Sequence, residues 1–349
     1  MFPSDRRSFL KTSSALAAAL TGASVMSEPA KASPSQDQGA KSFRERLLEC
    51  LGGPWPEGGD LRPRVEQTWQ KDGYRLERVT YEVEPGERVP AMVLVPEGVS
   101  ASAPAPAVAV WHQHNGQWHL GKSEPAGLAG DPMHHTGVAL AKLGYVVLCP
   151  DALCFEDRQD PEGKLKGGDY ERFEFLRAVV AGRCMAWKNI LDMRRAIDYL
   201  VTRPEVKADA LGCYGHSMGS THAWMVGPWE PRLKCIVGNC CLPSYAAIHR
   251  TKLLHCFPNF IPGLFAFGDT PDVAALIAPR ALHLNFGEKD GGSPIEEVRQ
   301  AIKTIAAAYE AAGAADAFTW YIEEGAGHVL SENMWRRVQE VFAKHLQNT

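Results

Sequence analysis

From Ala107 onward the chain alternates short apolar runs with amphipathic stretches, and few architectures accommodate that rhythm. Ala107 to Trp111, Tyr145 to Cys149, Ala210 to Tyr214, Leu233 to Gly238, Ala281 to Phe286 and Phe318 to Glu323 read as strands. Each is short, apolar and bounded by turn residues. Between them, Met133 to Leu143, Cys184 to Val201, Met218 to Val226, Pro294 to Ala312 and Glu332 to Leu346 read as helices, clearest where Ile190, Met193, Ile197 and Leu200 fall at helical spacing. Such alternation predicts a mostly parallel central sheet with helices on both faces. Ahead of it, Tyr74 to Val83 and Val89 to Val95 flank Glu84-Pro85-Gly86-Glu87, the pattern of an N-terminal antiparallel hairpin.

The alternation also sets the predicted organisation. Residues 1–32 read as a signal peptide. Asp5-Arg6-Arg7-Ser8-Phe9-Leu10-Lys11 resembles a twin-arginine export motif, a weakly apolar stretch follows, and Ala30-Lys31-Ala32 has the small-x-small form of a cleavage site. Residues 33–72 are polar, rich in Pro and Gly and locally helical, and are read as a leader wrapping onto the domain. Residues 73–349 form the catalytic domain, interrupted by long insertions at 112–132 and 239–279. Both insertions leave the carboxyl ends of predicted strands, the edge where open α/β sheets bind ligands. The expected location is periplasmic or secreted, with no stable membrane insertion once the signal is removed, because the apolar stretch is too short for an ordinary span. A net charge of -4 without a basic run gives no support to nucleic-acid binding. The nine cysteines, an odd number with no C-x-x-C pair, do not suggest a disulfide framework.

Chemistry concentrates at Gly215-His216-Ser217-Met218-Gly219, which lies between a predicted strand and a predicted helix. A G-x-S-x-G turn in that context lifts the serine to an exposed tip above a helix N-terminus, with glycines where side chains would strike backbone. A serine hydroxyl attacks only if a base removes its proton. His328, approached through Gly325-Ala326-Gly327, is the candidate base. Asp290, in the turn Gly287-Glu288-Lys289-Asp290, is the candidate acid that orients it, with Glu288 as competitor. Serine, acid and histidine then follow in one of the known triad orders.

These motifs, their order and the predicted elements resemble the α/β-hydrolase superfamily over roughly residues 75–347. Within it, Trp111-His112-Gln113-His114-Asn115-Gly116, Gly121-Lys122-Ser123-Glu124-Pro125-Ala126-Gly127 and Ala278-Pro279-Arg280 resemble the dienelactone-hydrolase and acetyl-xylan-esterase-like branch of bacterial serine hydrolases. The resemblance implies the same triad, Ser217, Asp290 and His328. Dienelactone hydrolases proper carry Cys at the nucleophile position; Ser217 therefore favours an ordinary esterase. The oxyanion donors expected in this fold are the N–H of Met218 and one from the loop after the third strand, with His114 favoured over Gln113. Gln113, His216 and Trp187 are the side chains expected to touch substrate.

His112 and His114, with His119, His134 and His135 nearby, also form a histidine cluster. No carboxylate or cysteine stands at a usual ligand spacing, so no metal and no cofactor are expected. The function expected is an exported serine esterase that cleaves a short-acyl or carbohydrate-linked carboxylic ester through an acyl-enzyme. Its expected partner is a small-molecule or carbohydrate ester. The alternatives are a prolyl-oligopeptidase-like peptidase, for which the chain lacks the residues of a propeller, and a non-catalytic binding protein on a hydrolase scaffold.

Overall fold

The computed structural model describes residues 41–347. The export motif and its cleavage site lie outside the described residues. Among the described residues a nine-stranded sheet runs in the order β1-β2-β3-β5-β4-β6-β7-β8-β9. Its strands are β1 (Arg64–Lys71), β2 (Tyr74–Glu84), β3 (Glu87–Pro96), β4 (Ala105–Trp111), β5 (Val146–Pro150), β6 (Val206–His216), β7 (Leu233–Asn239), β8 (Ala281–Gly287) and β9 (Phe318–Glu323). β1, β2 and β3 pair antiparallel, β3 joins β5 antiparallel, and every pairing beyond that is parallel. The helices are α1 (Phe43–Leu51), α2 (Thr136–Lys142), α3 (Gly168–Val180), α4 (Met185–Thr202), α5 (Met218–Val226), α6 (Tyr245–Thr251), α7 (Thr270–Ala275), α8 (Ile295–Ala311) and α9 (Glu332–Phe342). This is the α/β-hydrolase fold, and the expected hairpin is β2–β3.

β4 shows why the sheet sits between two helical layers. All seven of its residues are buried. Ala107, Ala109 and Trp111 point into the core that also takes Ile190 and Ile197 of α4 and Trp224 of α5. Val108 and Val110 point the other way, into a core shared with Leu140 of α2 and Val338 and Phe342 of α9. A strand covered on both faces reads as an unbroken apolar run, the pattern Ala-Pro-Ala-Val-Ala-Val-Trp gives. No described helix is long and apolar enough to cross a membrane.

Several elements differ from the sequence expectation. The segment read as a locally helical leader wrapping onto the domain holds the helix α1 and also, beyond that reading, the edge strand β1. α1 opens with a Ser42/Glu45 capping box and buries Leu47 and Leu51 in the main core. β1 escapes a periodicity search because it is an edge strand, exposed along almost its whole length, and so carries no apolar alternation. The segment between β5 and α4, given no element from sequence, holds α3. Finally, the helix expected from Met133 starts at Thr136, after a 3₁₀ turn over Pro132–His134.

Candidate active site

The turn between β6 and α5 positions Ser217. Its backbone sits at φ 57°, ψ −119°, a left-handed conformation that a non-glycine residue adopts only when its surroundings impose it. Both flanking glycines are sterically required. A Cβ on Gly215 would lie 2.0 Å from the backbone of Gly219, and a Cβ on Gly219 would lie 2.0 Å from the carbonyl oxygen of Trp111. The second contact locks the end of β4 against the first turn of α5. It therefore brings the loop beginning at His112 beside the backbone N–H of Met218, which as the first residue of a helix has no intrahelical acceptor.

That loop is held rigidly. The imidazole of His112 donates from Nδ1 to the Gln113 carbonyl at 2.7 Å and accepts the Ala152 N–H on Nε2 at 3.0 Å. Burial holds it neutral, its pKa pushed down to about 4. His114 accepts the Gly116 N–H on Nδ1 at 2.9 Å, leaving Nε2–H to donate to Glu171 at 2.9 Å. The Trp118 indole donates to the same Glu171 oxygen at 2.8 Å. Glu171 comes from α3, so the segment after β5 supplies a wall that sequence reading missed. Its polar sequence carried no signal for the role.

The acid and base meet through a second pair of glycines. A Cβ on Gly287 would lie 2.0 Å from the Gly327 carbonyl oxygen, so the turns after β8 and β9 touch backbone to backbone. His328 Nδ1 donates to Asp290 Oδ2 at 2.8 Å, and Asp290 Oδ1 accepts the Gly292 N–H at 2.8 Å. Asp290 is buried, whereas the His328 side chain is two-fifths exposed. Glu288 turns outward and accepts the Gly325 N–H at 3.0 Å.

Asn239, which no sequence argument singled out, ties the candidate nucleophile to the candidate base. Its carbonyl accepts the Ser217 N–H at 2.9 Å. Its buried amide donates to the Val329 carbonyl at 3.1 Å and to His216 Nδ1 at 2.7 Å. Cys240 adds a thiol donor to the same Val329 carbonyl at 3.2 Å. Position at the carboxyl end of β7 was the available clue to both. Neither Cys240 nor its neighbour Cys241 is in a disulfide, and nor are the other seven cysteines. The carbonyl of Cys241 takes the Ser220 hydroxyl and the Trp224 indole N–H.

The three side chains expected to contact substrate are placed otherwise. Gln113 is buried, and its amide donates to Gln117 and to both oxygens of Glu124. His216 is buried with its ring between His134 (4.7 Å between centroids) and His328 (5.0 Å). It packs against the candidate base His328. Trp187 is buried, stacked on Trp55, with its indole N–H on the Gly53 carbonyl. In each case a polar atom that looked free in sequence satisfies a buried backbone or side-chain partner. The Gly121-Lys122-Ser123-Glu124 stretch is likewise internal: the buried Lys122 ammonium bonds Asp151 at 2.9 Å, Glu156 at 2.6 Å and Asp157 at 2.7 Å.

Buried neutral histidines make acid the weak side of this fold. Burial also pushes His283 down to about 4 and His222 down to about 3, and lowers His134, His216 and His255. Unfolding returns each to about 6.5, so the unfolded chain takes up protons first as pH falls below that value. The stability these rings contribute is present above about pH 6.5 and is lost as pH falls. At pH 5 His112, His222 and His283 account for about three protons, and Asp151, raised to about 7 by burial, offsets about one. Unfolding free energy from urea titrations is therefore expected to drop by about 3 kcal/mol per pH unit near pH 5. A flat profile between pH 6.5 and 4.5 would show that these rings titrate freely in the folded protein.

Comparison with known proteins agrees with this architecture. A Bacillus subtilis (strain 168) protein, YtaP, which carries the name of a hydrolase, is 29% identical over 294 residues, spanning 82% of this chain and 94% of its own. Acetyl xylan esterase 1 from Thermoanaerobacterium sp. superposes with a TM-score of 0.62 at 15% identity, covering 86% of this chain and 93% of that one. A glucuronoyl esterase from Solibacter usitatus superposes with a TM-score of 0.61 at 18% identity, covering 86% and 91%. The model of the Abhydrolase family matches residues 54–329, and the chain belongs to that family.

Proposed function

We propose that this chain is a serine esterase, exported from the cytoplasm, that cleaves short-acyl or carbohydrate-linked carboxylic esters. The observation that carries the reading is the arrangement around Asn239. One residue fixes both the strained Ser217 turn and the loop of His328, whose imidazole is oriented in turn by Asp290. Ser217 Oγ attacks the ester carbonyl while His328 Nε2 takes its proton. Asp290 keeps the imidazole proton on Nδ1 and stabilises the imidazolium that forms. The N–H groups of Met218 and His114 donate to the oxyanion. His328 then protonates the departing alcohol, and water, deprotonated by the same imidazole, releases the acid from the acyl-enzyme.

The walls support a short acyl group and a polar alcohol. The loop after β4 and α3 join His114, Trp118 and Glu171 in one hydrogen-bonded cluster, a wall more polar than a long alkyl chain favours. In the second insertion, Ile261 and Leu264 are buried in the main core, with Phe260 and Phe267 packed at its margin. These four side chains pack with the core. The esterase names of the two structural neighbours point the same way. Measuring kcat/KM for p-nitrophenyl acetate, butyrate, octanoate and palmitate tests the reading. Acetate is expected to be fastest, with at least a tenfold fall to octanoate. In an apolar acyl pocket each added methylene would instead gain about 0.8 kcal/mol, and a rise toward octanoate would sink the proposal.

A further inference from the structure

Two members of the proposed triad, Asp290 and His328, share a donor cluster with a thiol that ester hydrolysis does not need. The Cys240 sulfur, an Asp290 carboxylate oxygen and a His328 ring nitrogen all lie within 4.8 Å of one another. They stand just beyond the ends of β7, β8 and β9, three neighbouring parallel strands. We propose that they form a binding site for a thiophilic divalent cation, zinc or cadmium, and that its occupancy switches the hydrolase off. The inhibitory part rests on the triad reading; the binding part does not.

Thiolate, imidazole and carboxylate are together a donor set for zinc and its softer relatives, not for magnesium or calcium. The charges also close. The thiolate and the carboxylate cancel the dication, so the loaded site is neutral in a buried setting where a net charge would be costly. The nitrogen turned toward Asp290 is Nδ1, at 2.8 Å from Oδ2, and tetrahedral zinc needs that pair to open only to about 3.3 Å. The thiol can give up its proton without leaving an orphan. The Val329 carbonyl it bonds keeps the Asn239 amide as a second donor. Access runs along the exposed flank of His328. The other candidate cluster, Asp151, Glu156 and Asp157, already holds the Lys122 ammonium.

Binding releases one proton, from the Cys240 thiol. The imidazole stays neutral but changes tautomer, because a metal on Nδ1 leaves the ring proton on Nε2. Nε2 then has no lone pair for the Ser217 hydroxyl, and Asp290 no longer orients the ring. The ion therefore stops the general base without touching the nucleophile.

The test pairs a binding signal with an inhibition assay on the full chain. Cadmium added to the wild-type protein is expected to give a thiolate-to-metal charge-transfer band that Cys240→Ser reduces by one site. Chelator-buffered free zinc is expected to inhibit ester hydrolysis reversibly, whereas magnesium and calcium leave the rate unchanged. Cys240→Ser, each rate normalised to that variant's own basal value, should raise the half-inhibiting zinc concentration on the order of 100-fold. Asp290→Asn, read by the cadmium band alone, supplies a second variant should Cys240→Ser fold poorly, and it should weaken binding. A band identical in wild type and Cys240→Ser overturns the site. A band lost in Cys240→Ser without zinc inhibition of the wild type keeps the site and removes its link to the triad.

Discussion

Ser217→Ala is expected to lower kcat on a model ester by about 10⁶, with the fold unchanged. The loss is that large because the nucleophile and base act as one unit: without Oγ no acyl-enzyme forms, and His328 has nothing to deprotonate. What remains is the binding and oxyanion stabilisation supplied by backbone donors, about 10³–10⁴ over water. The substitution leaves the turn intact. The Ser217 N–H still reaches the Asn239 carbonyl, and alanine occupies the same left-handed backbone with the same Cβ. Circular dichroism and thermal midpoint should match the wild type, and labelling by a fluorophosphonate should vanish. Retention of more than a few per cent of activity in protein free of contaminating esterase would mean that another group attacks.

Asp290→Asn is expected to lower kcat by about 10³–10⁴. The Gly292 N–H explains why an isosteric change is so damaging. It donates to Asp290 Oδ1, so an asparagine keeps its carbonyl there and turns its amide toward His328. The amide donates where the carboxylate accepted. His328 Nδ1 must then become the acceptor, which puts the proton on Nε2 and removes the lone pair that Ser217 needs. Glu288→Gln, at a solvent-facing bond to the Gly325 N–H, should change the rate by no more than about twofold. Steady-state kinetics of the two variants side by side decide the assignment, and a reversed order of effects refutes it.

The fold was largely legible because parallel strands buried on both faces declare themselves as apolar runs. β4, β6, β7 and β8 are of this kind. β1 was not legible, since an exposed edge strand has no pattern to betray it. At the site, the Gly-x-Ser-x-Gly turn was readable because its glycines answer to sterics of a few residues. The Gly287 contact with the Gly327 carbonyl oxygen joins turns far apart in sequence, and only the spacing of the predicted strands hinted at it. Side-chain roles were least legible. Gln113, His216 and Trp187 looked like ligand contacts because their chemistry is suitable, yet each is buried and commits a polar nitrogen to a partner inside the protein. Whether a polar side chain serves substrate or scaffold depends on partners that neighbouring sequence does not name.

The parallel arrangement of β6, β8 and β9 has a consequence for how the chain matures. Ser217, Asp290 and His328 follow strands whose parallel partners, though next in sequence, are each reached only through a helical crossover. Contacts of such long sequence separation form late, because the entropy of closing each intervening loop is lost before the contact repays it. The base arrives on the last strand and is secured only when Asn239 and Cys240, about ninety positions upstream, grip the Val329 carbonyl. On the proposed reading, hydrolytic competence is thus gained at the end of folding. A chain caught part-way would carry the Ser217 turn but not the proposed partner that activates it, and would remain inert until the whole sheet is complete.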